Sequence, residues 1–383
     1  MLAGVSSAAF LHALNWANET RDQNGWLLWL LPLAGLAIGL TYHYGAGRAA
    51  GGNNLVIAEV HEPTTPLPRR MAPLIFVAAV VTQLFGGSAG REGVAVQVAA
   101  GLSDQLPRLR PRWPIDRRAL LTIAIAAGFG SVFGTPIAGA LFALEVPTRG
   151  RLHPVRSLLM PCLLAAFVGD AMTRSLGIAH HVNPPFELTG RGVGPYFRVG
   201  ALGLACGLVA LVYIVTVDRV KRLFRCITWP PARPLVGGIV VITFVGLAGT
   251  RQYLGLSIPL ATAAVAGSAI GATVFAWKLV FTAVTLGSGF QGGEVTPLFV
   301  MGATLAGALG PHLGLPIAAA AMIGFVTVFG AASNTPIACT VLAVELFGGR
   351  SLPFAALALA VATLVSTPRS IYATQRAVGW PLT

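Results

Sequence analysis

Gly86-Gly-Ser-Ala-Gly-Arg-Glu-Gly-Val-Ala-Val-Gln97 interrupts two apolar stretches with four glycines (Gly86, Gly87, Gly90, Gly93), one guanidinium and one carboxylate. From Val94 a helical pattern resumes. The free N–H groups of a helix start are therefore expected to converge where Glu92 sits, and the glycines allow φ values that other residues resist. Such a start cradles anions. If the flanks span a membrane, Glu92 lies near the midplane, where a charged residue costs about 2.5–3.5 kcal/mol on insertion scales and marks an ion or proton path. The alternative is a carboxylate that caps its own helix, although caps are ordinarily Ser, Thr, Asp or Asn.

The composition supports the membrane premise. The chain is 55% hydrophobic and only 10% charged, against roughly 25% charged in soluble domains, so it reads as an integral membrane protein. The net charge of +13 falls in short loops between apolar segments, which points to membrane topology and away from nucleic acid. Four scattered cysteines (Cys162, Cys206, Cys226, Cys339) have no metal or redox spacing, and no metal or cofactor is expected.

Taken in order, the N-terminus shows no basic n-region or cleavage site, so no signal peptide is expected. Leu2–Trp16 is periodic but short of the ~20 residues of a span, which suggests a chain beginning inside its first helix. Gly25–Tyr44 reads as a full span anchored by Trp26 and Trp29, followed by the glycine-rich break at 45–54 and a short helix Leu55–Val60. Met71–Leu84 runs up to the opening stretch. Spans are then expected at 120–129, 136–146, 157–176, 197–217, 235–247, 260–270, 277–286, 298–309, 317–329, 337–347 and 352–364. Many are too short to cross alone and must be tilted, broken or half-helices. The basic loops at 107–118, 148–156 and 219–233 are expected on the cytoplasmic side, and 18–22 and 180–194 outside.

An internal repeat organises the chain. Phe129-Gly-Ser-Val-Phe-Gly-Thr-Pro-Ile-Ala138 is answered by Phe329-Gly-Ala-Ala-Ser-Asn-Thr-Pro-Ile-Ala338 at an offset of 200 residues, continuing to Glu145 and Glu345. Six of the eleven positions of Thr135–Glu145 are identical in Thr335–Glu345. Gly90-Arg-Glu92 has its counterpart in Gly292-Gly-Glu294. Glycine-interrupted segments at corresponding places in two halves point to a transporter with its site at the repeat interface.

Gly90-Arg-Glu-Gly93, Gly293-Glu-Val-Thr-Pro297, the repeated Phe-Gly…Thr-Pro-Ile-Ala segments and Ser370-Ile-Tyr372 together resemble the CLC superfamily of chloride channels and anion/proton exchangers, over nearly the whole chain. Gly52-Asn-Asn-Leu55 and Gly-Glu-Val-Thr-Pro stand where halide-type members carry Gly-Ser-Gly-Ile-Pro and Gly-x-Phe-x-Pro, and are similar to the fluoride-type branch (CLC-F). The resemblance implies an all-α polytopic membrane protein of tilted and broken helices in an inverted repeat. The halves are 8–176 and 193–365, with a short C-terminal helix in 366–383 carrying Tyr372. It implies a homodimer in membrane lipid with one anion path per subunit, multi-pass in a bacterial inner membrane. The implied function is fluoride export against proton entry; the alternative is a chloride channel or chloride/proton exchanger.

By the same resemblance, Glu92 matches the gating glutamate, which competes with an anion for the amide cradle and leaves when protonated. Tyr372 matches the tyrosine facing the central anion, with an interface-belt tyrosine as the alternative. Asn53 matches the serine position, its amide offering two donors, with Asn54 a neighbouring candidate and an ordinary turn the alternative. Arg91, Gly93, Gly293, Val295 and Thr296 complete the expected anion-binding set. Fluoride is small and tightly hydrated, so its path needs strong donors, which Asn53, Tyr372, Thr296 and the amides after Gly93 and Gly293 can supply. Glu294 is either a second pathway carboxylate or a cap on its own helix start. Val146 stands where chloride exchangers carry an inner glutamate, so a proton route through that position is not expected. Glu145 and Glu345 read as structural groups.

Gly86-Gly-Ser-Ala-Gly90 also satisfies the nucleophile-elbow pattern, but none of the seven histidines (12, 43, 61, 153, 180, 181, 312) sits in a catalytic motif, so an enzyme is not expected. The short loops leave no module for a scaffold role.

Overall fold

In the computed structural model the described residues are 1–109, 116–149, 156–180, 183–188, 192–367 and 369–376. The first half contains α1 (Leu2–Gln23), α2 (Leu31–Thr41), α3 (Gly52–His61), α4 (Met71–Leu84), α5 (Glu92–Ser103), α6 (Leu106–Leu109), α7 (Arg117–Phe133), α8 (Pro136–Glu145) and α9 (Leu159–Ser175). The second contains α10 (Gly194–Phe224), α11 (Ala232–Ala248), α12 (Ile258–Val265), α13 (Val274–Ser288), α14 (Val295–Leu309), α15 (Ile317–Ser333), α16 (Pro336–Phe347) and α17 (Leu352–Ser366). Three helical stretches, Gly25–His61, Gly194–Phe224 and Gly349–Ser366, are long and apolar enough to cross a membrane. The many shorter helices hand their unpaired ends to one another, the condition for irregular backbone inside a bilayer.

Several boundaries differ from the sequence reading. The first helix is 22 residues, longer than its apolar part, because its polar end at 18–22 stays helical, and it is not among the stretches apolar enough to span. Gly25–Tyr44 is broken into a 3-10 turn (Gly25–Leu30), α2 and a π turn (Tyr42–Ala46). The glycine-rich break is itself helical from Gly47, and α3 begins at Gly52, so Asn53 and Asn54 lie in its first turn and not in a loop. The described part of the expected C-terminal helix, Arg369–Arg376, is irregular chain, held by Gln375 Nε2 on the carbonyls of Val146 (2.6 Å) and Ser333 (2.8 Å). The loops at 107–118, 148–156 and 180–194 lie partly outside the described residues.

Small residues bring helix backbones together. Cβ atoms placed at Gly203 and Gly207 of α10 would fall 2.7 Å from the carbonyls of Ala358 and Ala362 of α17, so four-residue spacing on both helices forms one close seam. Phe129 and Phe329, 200 residues apart, stack with ring centroids 6.4 Å apart, and Phe142 stacks on Phe129 at 4.4 Å. Two sets of polar contacts fasten neighbouring segments. In one, Arg117 bridges Glu59 (2.9 Å) and Asp104 (2.7 Å), while Arg376 pairs with Glu62 at 2.7 Å and holds its carboxyl below the usual range. In the other, Arg21 donates to the Gln83 carbonyl (3.1 Å) and Arg251 to that of Gly25 (3.1 Å).

Two crossed contacts tie the halves together. Glu145, ending α8, accepts hydrogen bonds from the amides of Ile337 (3.0 Å) and Ala338 (2.7 Å), the first free N–H groups of α16 after Pro336. Glu345 of α16 accepts from Ile137 (3.0 Å) and Ala138 (2.7 Å) at the start of α8. Each carboxylate caps the other half's helix, where the dipole favours negative charge. Both glutamates are thus structural, as their repeat positions suggest. Charged hydrogen bonds contribute about 1.5–3 kcal/mol each, so Glu145→Ala, which removes two, is expected to lose roughly 3–6 kcal/mol and to melt well below the parent in detergent. Glu145→Gln, which keeps one acceptor, should fall between. An unchanged melting temperature in Glu145→Ala would show that the crossed cap carries no stability.

Candidate ion-translocation site

The opening stretch meets its counterpart head-on. Gly90 and Gly293 form an isolated antiparallel bridge, Gly90 N–H to Gly293 O at 2.6 Å and Gly293 N–H to Gly90 O at 2.9 Å. The starts of α5 and α14 therefore abut. Here glycine is needed for close approach: a Cβ at Gly93 would lie 2.7 Å from Asn53 Nδ2, and one at Gly293 would lie 3.0 Å from Gly93 N. Of the four glycines in the stretch, only Gly86 has a positive φ (+94°), so backbone freedom explains one and crowding the others.

Glu92 is the first residue of α5 and is 1% exposed. Its carboxylate does not cap α5. It crosses to α14, where it accepts from the Thr296 amide (3.0 Å) and from the Thr296 hydroxyl (2.6 and 2.5 Å to its two oxygens). Arg91 adds longer contacts from its amide and Nε, both 3.3 Å. The amide cradle expected at α5 is thus supplied by the opposing helix, and a carboxylate occupies it in the manner of an anion.

Glu92 divides two cavities. One, of about 380 Å3, is lined by Arg91, Glu92, Thr296, His180 and apolar side chains including Phe299 and Ile258. The other, of about 10 Å3, has room for a single water-sized species and is lined by Asn53, Glu92, Gly93, Val295 and Tyr372, with Phe129, Phe142 and Val146 in its apolar wall. Asn53 Oδ1 is buried without a partner, and the Tyr372 hydroxyl makes no hydrogen bond among the described residues. Around this volume of ionic size the Tyr372 hydroxyl can donate, whereas Asn53 can meet an anion only through Nδ2, its oxygen being an acceptor. Val146, at the position of the exchangers' inner glutamate, presents only methyl groups there.

Two expected residues stand elsewhere. Asn54 faces the C-terminal segment, its carbonyl oxygens taking hydrogen bonds from Thr374, whose hydroxyl is 3.0 Å from the Asn54 main-chain oxygen; it anchors the chain that carries Tyr372. Glu294 is the N-cap residue of α14 but makes no side-chain cap, so the capping alternative is not what the structure contains. Its electrostatic neighbours are Lys221 and Asp218 of α10 and the hydroxyls of Tyr213 and Tyr372. Tyr213, fully buried with an unpartnered hydroxyl, was not singled out by sequence reasoning; inside a long apolar helix it carries no local signal. His180, paired with Asp170 at 3.1 Å, was passed over because no motif surrounds it. Ser88, the centre of the elbow-like pattern, is buried against Thr282 and Lys278 and lines neither cavity.

The voltage-gated chloride channel family model matches residues 33–367. A "Chloride/fluoride channel protein" of Pseudomonas syringae pv. tomato is 43% identical over 98% of this chain and 84% of its own. Among solved structures, a CLC-type fluoride/proton antiporter superposes with a TM-score of 0.92 at 34% identity, covering 98% of this chain and 95% of that one. A slow cyanobacterial Cl-/H+ antiporter superposes at 0.82 with 18% identity over 96% and 92%, which speaks to the fold alone. The helical architecture is thus the CLC-like inverted repeat of tilted and broken transmembrane helices, and the chain, a multi-pass membrane protein, belongs to the voltage-gated chloride channel (CLC) family of anion channels and transporters.

Proposed function

We propose that this chain is a fluoride/proton antiporter that exports fluoride from a bacterial cytoplasm across the inner membrane, working as a homodimer with one path per subunit and catalysing no covalent chemistry. The observation that carries the reading is the Glu92 carboxylate seated on the Thr296 amide and hydroxyl as the partition between two cavities. An anion arriving there needs the same donors, so anion and ionised carboxylate exclude each other. Protonation removes the charge and releases the latch, and one group links the two fluxes.

In this reading the halves are 8–176 and 193–365, the anion path runs where the starts of α5 and α14 meet, and Tyr372, in the C-terminal segment 366–383, borders it. Asn53 and Tyr372 replace part of the water shell that fluoride loses in the small cavity, with the starts of α5 and α14 supplying dipole. The likeness to a fluoride/proton antiporter and to a chloride/fluoride channel protein supports fluoride as the anion. Glu294 lines neither cavity; making no cap and having Tyr213, Lys221 and Asp218 as electrostatic neighbours, it is in this reading the second carboxylate of the path. With Val146 apolar, proton movement depends on Glu92 and Glu294 alone.

Fluoride is expected to leave loaded proteoliposomes much faster than chloride, with protons entering; equal rates for the two anions would assign the chain to chloride. Glu92→Gln cannot ionise and should abolish proton movement, and a variant that still moved protons against a fluoride gradient would remove Glu92 from the coupling.

The latch itself is tested by Thr296→Val. Loss of the hydroxyl weakens the ionised, latched form relative to the protonated one, so the pH dependence of fluoride efflux should move to higher pH. An unmoved profile in folded protein would show that Thr296 does not hold the latch. For Glu294, a double-mutant cycle of Glu92→Gln and Glu294→Gln on fluoride flux should be non-additive, by at least about 0.5 kcal/mol. Strict additivity, or unchanged flux in Glu294→Gln, would place it off the path.

A further inference from the structure

Lys278, on α13, is completely buried and forms no ion pair among the described residues. Its Nζ donates to Gly255 O (2.8 Å), Ser257 Oγ (2.8 Å) and Ser88 Oγ (2.9 Å), and lies 3.2 Å from Tyr253 O. An ammonium has three donors, and here four neutral oxygens surround it. Three of them come from alternate residues of one segment, 253, 255 and 257, whose backbone is shaped for the purpose. Gly255 has φ +60° and Ser257, without glycine's freedom, has φ +57°. A non-glycine residue in that region is uncommon and persists where its surroundings over-determine it. Backbone carbonyls and hydroxyls without a carboxylate are the ligand set of a hard cation.

The fourth oxygen belongs to the opening stretch. Lys278, Thr282 and Thr285 form a buried polar stripe at four- and three-residue spacing on otherwise apolar α13. Ser88 meets all three: its hydroxyl contacts Lys278 and Thr282 (3.0 Å), and its amide donates to Thr285 Oγ1 (3.1 Å). Two residues later Gly90 pairs with Gly293, and two after that Glu92 latches onto Thr296.

We infer that Lys278 is a tethered monovalent cation: its ammonium fills a four-oxygen cation site formed by Tyr253, Gly255, Ser257 and Ser88, and by holding Ser88 it positions the Gly90–Gly293 junction and Glu92. Lys278 touches neither cavity, so it is a positioning residue. The transport role rests on the fluoride/proton reading above; the cation site itself does not. Cutting the side chain back empties the site: the Tyr253 and Gly255 carbonyls lose the donor they share, the hydroxyls of Ser88 and Ser257 keep only their contacts to Thr282 and Leu254, and a free small cation then occupies the space between the four oxygens.

The test is Lys278→Ala, prepared in sodium, in methylammonium and in N-methylglucamine, a cation too large for the cage, with melting temperature and fluoride efflux measured in each. Wild type serves as the control in the same buffers, so a failure of fluoride transport as such shows in wild type and is distinguishable from failure of the cation site. Wild type should be indifferent to the cation. The variant in N-methylglucamine should transport on the order of ten- to a hundredfold more slowly, the scale of an ångström-sized misplacement, and melt lower. Sodium or methylammonium should restore both. Wild-type behaviour in all three cations, or folded protein that neither cation restores, overturns the proposal. Should Lys278→Ala give no monodisperse protein in any cation, Ser257→Ala decides, because it keeps the ammonium and removes one oxygen. Efflux slowed severalfold in monodisperse protein supports the site, and wild-type efflux overturns it.

Discussion

A carboxylate laid on the N-terminus of a helix from the other half of the chain is the interaction on which this structure depends. It occurs three times. Glu145 caps α16, Glu345 caps α8, and Glu92 sits at the start of α14. In each case broken helices inside a membrane leave amides without partners and a carboxylate from the other half accepts from them; among the described residues, Glu92 alone of the three also has a guanidinium beside it, that of Arg91 at 3.3 Å. The first two contacts are reciprocal and take two amides apiece at the same pair of distances. They lock the halves.

The third contact differs in ways that suit it to move. On α14 Glu92 takes one amide and one hydroxyl, both of Thr296, its contacts to Arg91 are longer, and both cavities reach it. Its counterpart Glu294 does not return the contact onto α5 and instead faces the tyrosines and charged groups of α10. The symmetry that makes Glu145 and Glu345 a closed pair is thus broken at the junction of α5 and α14, where the start of α14 carries the other half's carboxylate and the start of α5 does not.

The sequence shows this arrangement unevenly. The repeat was legible because Thr-Pro-Ile-Ala and its trailing glutamate recur at a fixed offset, and both features are required by one contact: proline at the first helical position, then two free amides for the partner's carboxylate. Glu92 was legible as a charge among glycines, but the reading gave it the amides of its own helix, since nothing in one linear stretch reveals that a helix 200 residues away begins at the same point. Asn54 was kept as a neighbouring candidate to Asn53, and the first-turn geometry of α3 separates them, one toward Gly93 and the other toward Thr374. Tyr213 and Lys278 were illegible for a shared reason: no local motif surrounds either, and the groups each one meets lie on segments distant in sequence.

The central claim is that the Thr296 donors serve carboxylate and anion in turn. It is tested most directly by determining the structure twice, at alkaline pH without fluoride and at acidic pH with saturating fluoride. In the first, the Glu92 carboxylate should lie on the Thr296 amide and hydroxyl. In the second it should have left, with a water-sized density in hydrogen-bonding distance of Thr296 N or at Asn53 and Tyr372. A Glu92 side chain that stays on Thr296 under both conditions, with fluoride bound elsewhere, would contradict the account.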